Sequence, residues 1–148
     1  YGTAFEIYWP CTDRESNQPI QKKAASKSRV QTILLVEDED MIREPARRIL
    51  EQMGYTVQIA QDGLQALGCL TQPDRCIDLV LTDYSMPGRS GRDLAAELLS
   101  KRPDLPIIVY SGYIDDDLEK ELLDLGVKAV LHKPVDWNAL SSTIAALV

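Results

Sequence analysis

The stretch LTDYSMPGRSG, residues 81–91, runs from an apolar segment straight into a loop rich in Ser, Pro and Gly, with one carboxylate, Asp83, at the junction. An acid there is either a solvated turn residue or a reactive group held on the rim of a sheet. Its context in the chain decides. Short runs rich in Val, Ile and Leu, bounded by turn residues, occur at 33–36, 57–60, 77–81, 107–110 and 127–131. Such runs are the pattern of strands buried on both faces of a parallel sheet. Between them lie stripes at helical spacing: Ile42, Ala46, Ile49 and Met53; Leu64, Leu67 and Leu70; Leu94, Leu98 and Leu99; Ile114, Leu118, Leu122 and Leu125; Leu140, Ile144 and Leu147. Gly54 and Gly126 are placed to stop the first and fourth helices, and the third ends before Pro103. Five strands alternating with five helices specify an α/β, doubly wound parallel sheet with right-handed crossovers. The stripes are core packing.

The totals agree. A chain of 148 residues is long enough for one domain with a substantial core. Its 45% hydrophobic and 26% charged residues are ordinary for a globular protein. No apolar run approaches the roughly 18–20 residues that span a bilayer, and no basic start followed by an apolar stretch reads as a leader. Three cysteines, Cys11, Cys69 and Cys76, lack zinc-like spacing and fit small buried or semi-buried side chains in a reducing, cytoplasmic setting. The net charge of −7 is uneven: residues 10–30 carry five basic against two acidic groups, residues 31–148 eleven against twenty. An acidic body is a poor partner for nucleic acid, which needs clustered Lys and Arg. Residues 11–30, polar and without a sustained period, read as a linker.

In an open parallel sheet, ligands sit outside the carboxyl ends of the strands. The first run ends in VEDED, bringing Glu37 and Asp38 to that rim. The third ends in LTD with Asp83, the fourth in VYSG with Ser111, and the fifth in LHKP with Lys133 before Pro134. Clustered carboxylates repel unless a cation intervenes. Hard oxygen ligands with open positions suit Mg²⁺ (or Mn²⁺), which bridges readily to phosphate oxygens. Such a site keeps Asp83 ionised and able to attack a phosphoryl group, with Lys133 and the Ser111 hydroxyl meeting the phosphoryl oxygens.

This constellation resembles the receiver domain of two-component response regulators. The likeness covers essentially all of residues 31–148. It rests on the Glu37–Asp38 pair, the D-x-x-M-P-G-x-x-G run from Asp83 to Gly91, Ser111–Gly112 and Lys133–Pro134. The resemblance implies a flavodoxin-like receiver fold with strand order 2-1-3-4-5. It also implies self-catalysed phosphorylation and dephosphorylation, with Asp83 as phosphoacceptor from a phosphohistidine. Asp38 would bind the metal directly and Glu37 through water, with the Ser85 main-chain carbonyl completing the protein ligands. Lys133 would pair with Asp83, Ser111 would be the switch hydroxyl, and Pro87, Gly91 and Pro134 would shape the loops. One position departs from the pattern. Receivers often carry a Tyr or Phe three residues before the lysine, and here that residue is Val130, so the usual aromatic output signal is in question.

Other residues have plainer readings. Glu39 and Asp40 serve as first-turn acids, with Asp40 the expected helix cap, and Asp115–Asp117 favour the start of a later helix. His132 reads as a rim residue rather than a relay histidine. Trp137 and Tyr113 are either packing or partner surface. Pro45, one turn into the first helix, predicts a kink or loosened turn. Residues 1–10, YGTAFEIYWP, resemble the last strand of a histidine-kinase ATP-binding domain through Gly2, Thr3 and Phe5. That likeness implies the C-terminal receiver of a hybrid histidine kinase, partnered by a phosphohistidine domain or histidine phosphotransfer protein. The alternatives are a free-standing regulator acting by protein contact and a receiver-like module that is never phosphorylated.

Overall fold

The computed structural model describes residues 31–72 and 76–148. The readings made for 1–10 and 11–30, and for Cys11, lie outside the described residues. Five strands, β1 (Thr32–Val36), β2 (Thr56–Ala60), β3 (Leu79–Asp83), β4 (Ile107–Ser111) and β5 (Ala129–His132), alternate with five helices. These are α1 (Asp40–Gln52), α2 (Gly63–Leu70), α3 (Gly91–Lys101), α4 (Asp116–Leu125) and α5 (Trp137–Leu147). The strands form one parallel sheet in the order β2-β1-β3-β4-β5. The expected architecture and order are both present.

Alternation along each strand sends successive side chains to opposite faces. Ile33, Leu35, Leu79, Leu81, Ile108 and Tyr110 pack with Ala46, Leu50, Leu140 and Ile144, so α1 and α5 cover this face. Leu34, Val36, Val80, Ile107 and Val109 pack with Ala66, Leu94, Leu98 and Leu122, so α2, α3 and α4 cover the other. Burial on both faces holds for β1, β3 and β4 but not for the edge strands β2 and β5, most of whose residues are part-exposed. An edge strand has one neighbour and less helix above it, so its apolar run marks the strand without guaranteeing burial.

The helix stripes shift by a residue in places. In α1 the fully covered positions are Arg43, Ala46 and Leu50, while Ile42, Ile49 and Met53 flank them. In α2 the buried residues are Gly63 and Ala66, and Leu64 is 73% exposed. Ile114 precedes α4 instead of joining it. The first turn of α1 is closed by Ile42 and Arg43 N–H groups donating to the Glu39 carbonyl at 3.0 and 2.9 Å, so Pro45 does not loosen it. Pro45 lies on the exposed flank of a helix that continues unbroken to Gln52. The cap position belongs to Glu39, not Asp40; its side chain makes no capping bond, and Asp40 is engaged by Arg43. Asp115 does cap α4, accepting from Leu118 N–H at 2.8 Å, with Asp116 and Asp117 in the first turn. Gly126 ends α4 at φ +113, a left-handed conformation that favours glycine. Cys69 is semi-buried as expected, whereas Cys76 is exposed.

β3 starts two residues later than its apolar run suggests. Ile77 and Asp78 form the approach: the Asp78 carboxylate accepts from Thr32 N–H at 2.8 Å, and Asp78 N–H donates to the Thr32 carbonyl at 2.9 Å. Asp83 is therefore the last residue of the strand itself.

Candidate functional site

Two residues beyond Leu35, Leu81 and Leu131, the same alternation brings Glu37, Asp83 and Lys133 to the carboxyl rim on the α1–α5 face. Glu37 is wholly buried and Asp83 2% exposed. Lys133 Nζ donates to Asp83 Oδ2 at 3.0 Å and lies 3.4 Å from Glu37 Oε2. Ser85 N–H donates to Asp83 Oδ1 at 3.3 Å. Strand β3 thus fixes the Asp83 backbone, while its carboxylate is shared between a lysine and the following loop.

One carboxylate oxygen from each of Glu37, Asp38 and Asp83 falls within 4.8 Å of the others. Three acids against one lysine leave an excess of negative charge in a partly buried site. An all-oxygen set of this size, part-exposed at Asp38, fits a divalent cation. Burial pushes the Glu37 carboxyl up from its ordinary range, opposed by the hydrogen bond from Tyr110. Burial alone would lower Lys133, but hydrogen bonding and charge from Asp83 and Glu37 outweigh it, and the net direction is up. The lysine is therefore a cation here.

Loop geometry follows from a close approach. Gly91 N–H donates to the Tyr84 carbonyl at 2.8 Å, and a Cβ on Gly91 would lie 2.8 Å from Tyr84 Cα and against the Asp83 carbonyl. The first residue of α3 is thus pressed onto the backbone that carries Asp83. Pro87 and Gly88 are exposed in the intervening loop, and the Lys133–Pro134 peptide bond is cis.

Ser111 is brought to the same rim but faces elsewhere. Its Oγ donates to the Tyr113 carbonyl at 3.0 Å and accepts from Tyr113 N–H at 3.3 Å. Val130 packs part-buried on the α2–α4 face. His132 is exposed beside Ser111 in the β4–β5 register. Tyr113 is 76% exposed, whereas Trp137 packs against the core, so these two aromatics part company.

Two residues in the site were not singled out from sequence. Tyr110, 3% exposed, donates its hydroxyl to Glu37 Oε2 at 2.8 Å. Arg43, also 3% exposed, donates to the carbonyls of Glu37 at 2.7 Å and Asp38 at 3.3 Å. Each carried a signal: a phenol inside a Val/Ile run, and a guanidinium one position off an apolar stripe.

The model of the response regulator receiver domain family matches residues 33–145. Among curated proteins, the sensor kinase CckA of Brucella abortus is 32% identical over 99% of this chain and 16% of its own length. The chain spans half or less of the curated relatives it matches. A receiver domain from Clostridium thermocellum superposes with TM-score 0.75 at 31% identity, covering 79% of this chain and 93% of that one. The response regulator TrrA of Thermotoga maritima, solved in complex with Mg²⁺–BeF, gives TM-score 0.71 at 30% identity, over 80% of this chain and 99% of that one. With its strand order, its rim of acids and its lysine, this chain belongs to the receiver domain family of two-component response regulators.

Proposed function

We propose that Asp83 is the phosphoacceptor of a relay, taking a phosphoryl group from a phosphohistidine. The observation that carries this reading is the Asp83–Lys133 contact beside the Glu37–Asp38 pair. In the transfer, an Asp83 oxygen attacks phosphorus, the P–N bond to imidazole breaks, and the imidazole leaves with that electron pair. Asp83, Asp38 and the Ser85 main-chain carbonyl would hold Mg²⁺ (or Mn²⁺) directly, and Glu37 through water. Bound there, the ion supplies positive charge for the phosphoryl oxygens. Lys133 already donates to Asp83 Oδ2 and needs only a small shift to reach a phosphoryl oxygen bonded there. Ser111 must release the Tyr113 carbonyl to donate to the same group.

The donor is a histidine-kinase phosphohistidine domain or a histidine phosphotransfer protein, and the chain works in the cytoplasm as part of a hybrid histidine kinase. The likeness to CckA supports the hybrid context, because its alignment takes in 99% of this chain and therefore residues ahead of the receiver. Among the described residues, no helix is long and apolar enough to cross a membrane. The test is mass measurement after incubation with Mg²⁺ and acetyl phosphate. The expected result is one hydroxylamine-sensitive phosphate that Asp83→Asn cannot accept. An unchanged mass under saturating donor would leave the unphosphorylated interaction module as the better reading.

A further inference from the structure

Glu37 and Asp38 are neighbours in sequence but are held differently. The Glu37 carboxylate has three partners: the Tyr110 hydroxyl at 2.8 Å and Lys133 Nζ at 3.4 Å on Oε2, and Glu39 N–H at 3.2 Å on Oε1. The Asp38 carboxylate takes no hydrogen bond among the described residues and is part-exposed. Tyr110 is the shortest of the Glu37 contacts and the one neutral side chain among them. A fully buried carboxylate is costly unless its oxygens are satisfied.

Tyr110 also stands beside Asp83 and Lys133. It lies directly opposite Asp83 in the β3–β4 register, and its carbonyl accepts from Tyr84 N–H at 2.9 Å, immediately after the acceptor. Lys133 Nζ stands 5.0 Å from its ring centroid. Tyr110 also lines an apolar recess of about 500 Å³ between α1 and the β5–α5 connection, together with Ile42, Pro45, Ile49, Val135 and Trp137. Buried in the core beneath α1 and α5 and bonded at its hydroxyl, Tyr110 has little freedom to turn.

Resting on the reading of the acid site given above, we propose that Tyr110 is a positioning residue for the divalent ion, fixing Glu37 in its outer, water-mediated place. Without the phenol, Oε2 keeps only the longer contact to Lys133. Glu37 then pairs more closely with the lysine or loses its orientation, and either way it offers the ion's outer shell a less negative or less fixed acceptor. Groups that orient a metal's ligands typically change affinity by about 10–100-fold when removed. Tyr110→Phe, which keeps the ring and removes the hydroxyl, is expected near the lower end, about tenfold.

The test is calorimetric titration of the full chain with MgCl₂ for wild type, Tyr110→Phe, Glu37→Gln and the double variant, with thermal unfolding alongside. The expected result is weaker Mg²⁺ binding in Tyr110→Phe and no further loss when it is added to Glu37→Gln, the signature of one shared interaction. Unchanged or tighter binding in Tyr110→Phe, or full additivity in the double variant, would overturn the proposal. A lowered melting temperature with unchanged affinity would do the same, since that is a purely structural role. Failure of wild type to bind Mg²⁺ would instead overturn the acid-site reading itself. Should Tyr110→Phe not fold, the tyrosine Cζ resonance of wild type, followed by NMR during Mg²⁺ addition, decides: Tyr110 must shift, and an unmoved signal ends the case.

Discussion

At the carboxyl rim the two faces of the sheet are finished differently. On the α1–α5 face, Glu37, Asp83, Tyr110 and Lys133 are bonded into one network, with Arg43 gripping the two carbonyls beneath it. On the α2–α4 face stand Ser111 and Val130, and the Ser111 hydroxyl spends its bonds on the Tyr113 main chain. Even the aromatics differ: Tyr110 is 3% exposed and Tyr113, three residues on, is 76% exposed. Chemistry needs groups that stay where they are put, because transition-state stabilisation by pre-placed charge costs no rearrangement. A signal needs a group that can change partners. Under the proposed relay, the Ser111 hydroxyl, bonded only to loop main chain, is the group that changes partners, and the Glu37 and Asp83 carboxylates, bonded to side chains across the rim, are those that stay.

The most damaging way to break that division is to move the backbone under Asp83. Gly91→Ala sets two effects against each other. Alanine at an early helical position gains at most about 1 kcal/mol of helix propensity. Its Cβ, however, meets the Asp83 carbonyl and Tyr84 Cα, which are backbone atoms in a strand end and cannot swing aside. Overpacking of this kind costs about 1–3 kcal/mol or more, so the clash wins. The expected outcome is a lower melting temperature together with slowed phosphate uptake, because the displaced backbone is the end of β3 that carries Asp83 and the loop that follows it. Normal uptake in a stable Gly91→Ala protein would show that the rim tolerates movement that the network ought to forbid.

Arg43→Met tests the same face more gently. The substitution keeps the aliphatic stem on the α1 stripe and removes the donor to the Glu37 and Asp38 carbonyls. Leaving a buried acceptor unsatisfied costs about 1–3 kcal/mol. Part of that is returned, because a buried guanidinium is itself expensive to desolvate and Arg43 Nε has no partner among the described residues. The expected net effect is at the low end in stability, with a clearer loss in Mg²⁺ affinity measured by titration. Equal Mg²⁺ affinity would confine Arg43 to packing.

How far the sequence could foresee this arrangement depended on the kind of contact. Glu37, Asp38, Asp83 and Lys133 were legible because each follows an apolar run, and strand ends in a parallel sheet share one rim. Gly91 was legible as loop-shaping, though the Asp83–Tyr84 backbone it presses against was not. Tyr110 was hidden because a tyrosine in a Val/Ile run reads as β-propensity, and only the register opposite Asp83 reveals where its hydroxyl ends. Arg43 was hidden because the apolar stripe was drawn through Ile42, and a shift of one residue, about 100° around a helix, turns the guanidinium inward. The cap of α1 failed for a related reason: Asp40 has the right chemistry for capping, but the buried Arg43 claims its carboxylate. Local propensity lost to a tertiary partner.

The smallest expected effect lies on the other face. Val130 sits part-buried on the α2–α4 side, two strands from Asp83 and on the face of the sheet opposite the acid network. Val130→Phe restores an aromatic where receivers often carry one. A ring there occupies the α4–β5 side and leaves Glu37, Tyr110 and Lys133 untouched, and independent sites of this kind add within about 0.5 kcal/mol. Mg²⁺ affinity and the rate of phosphate uptake from acetyl phosphate should therefore stay within about twofold of wild type. What should change is the coupling of the α4–β5 surface to phosphorylation, read as larger amide NMR shifts in β5 and α4 on adding Mg²⁺ and beryllofluoride. A large change in metal affinity instead would mean that the two faces are one mechanical unit, and that the separation between a fixed catalytic face and a movable signalling face is not how this domain works.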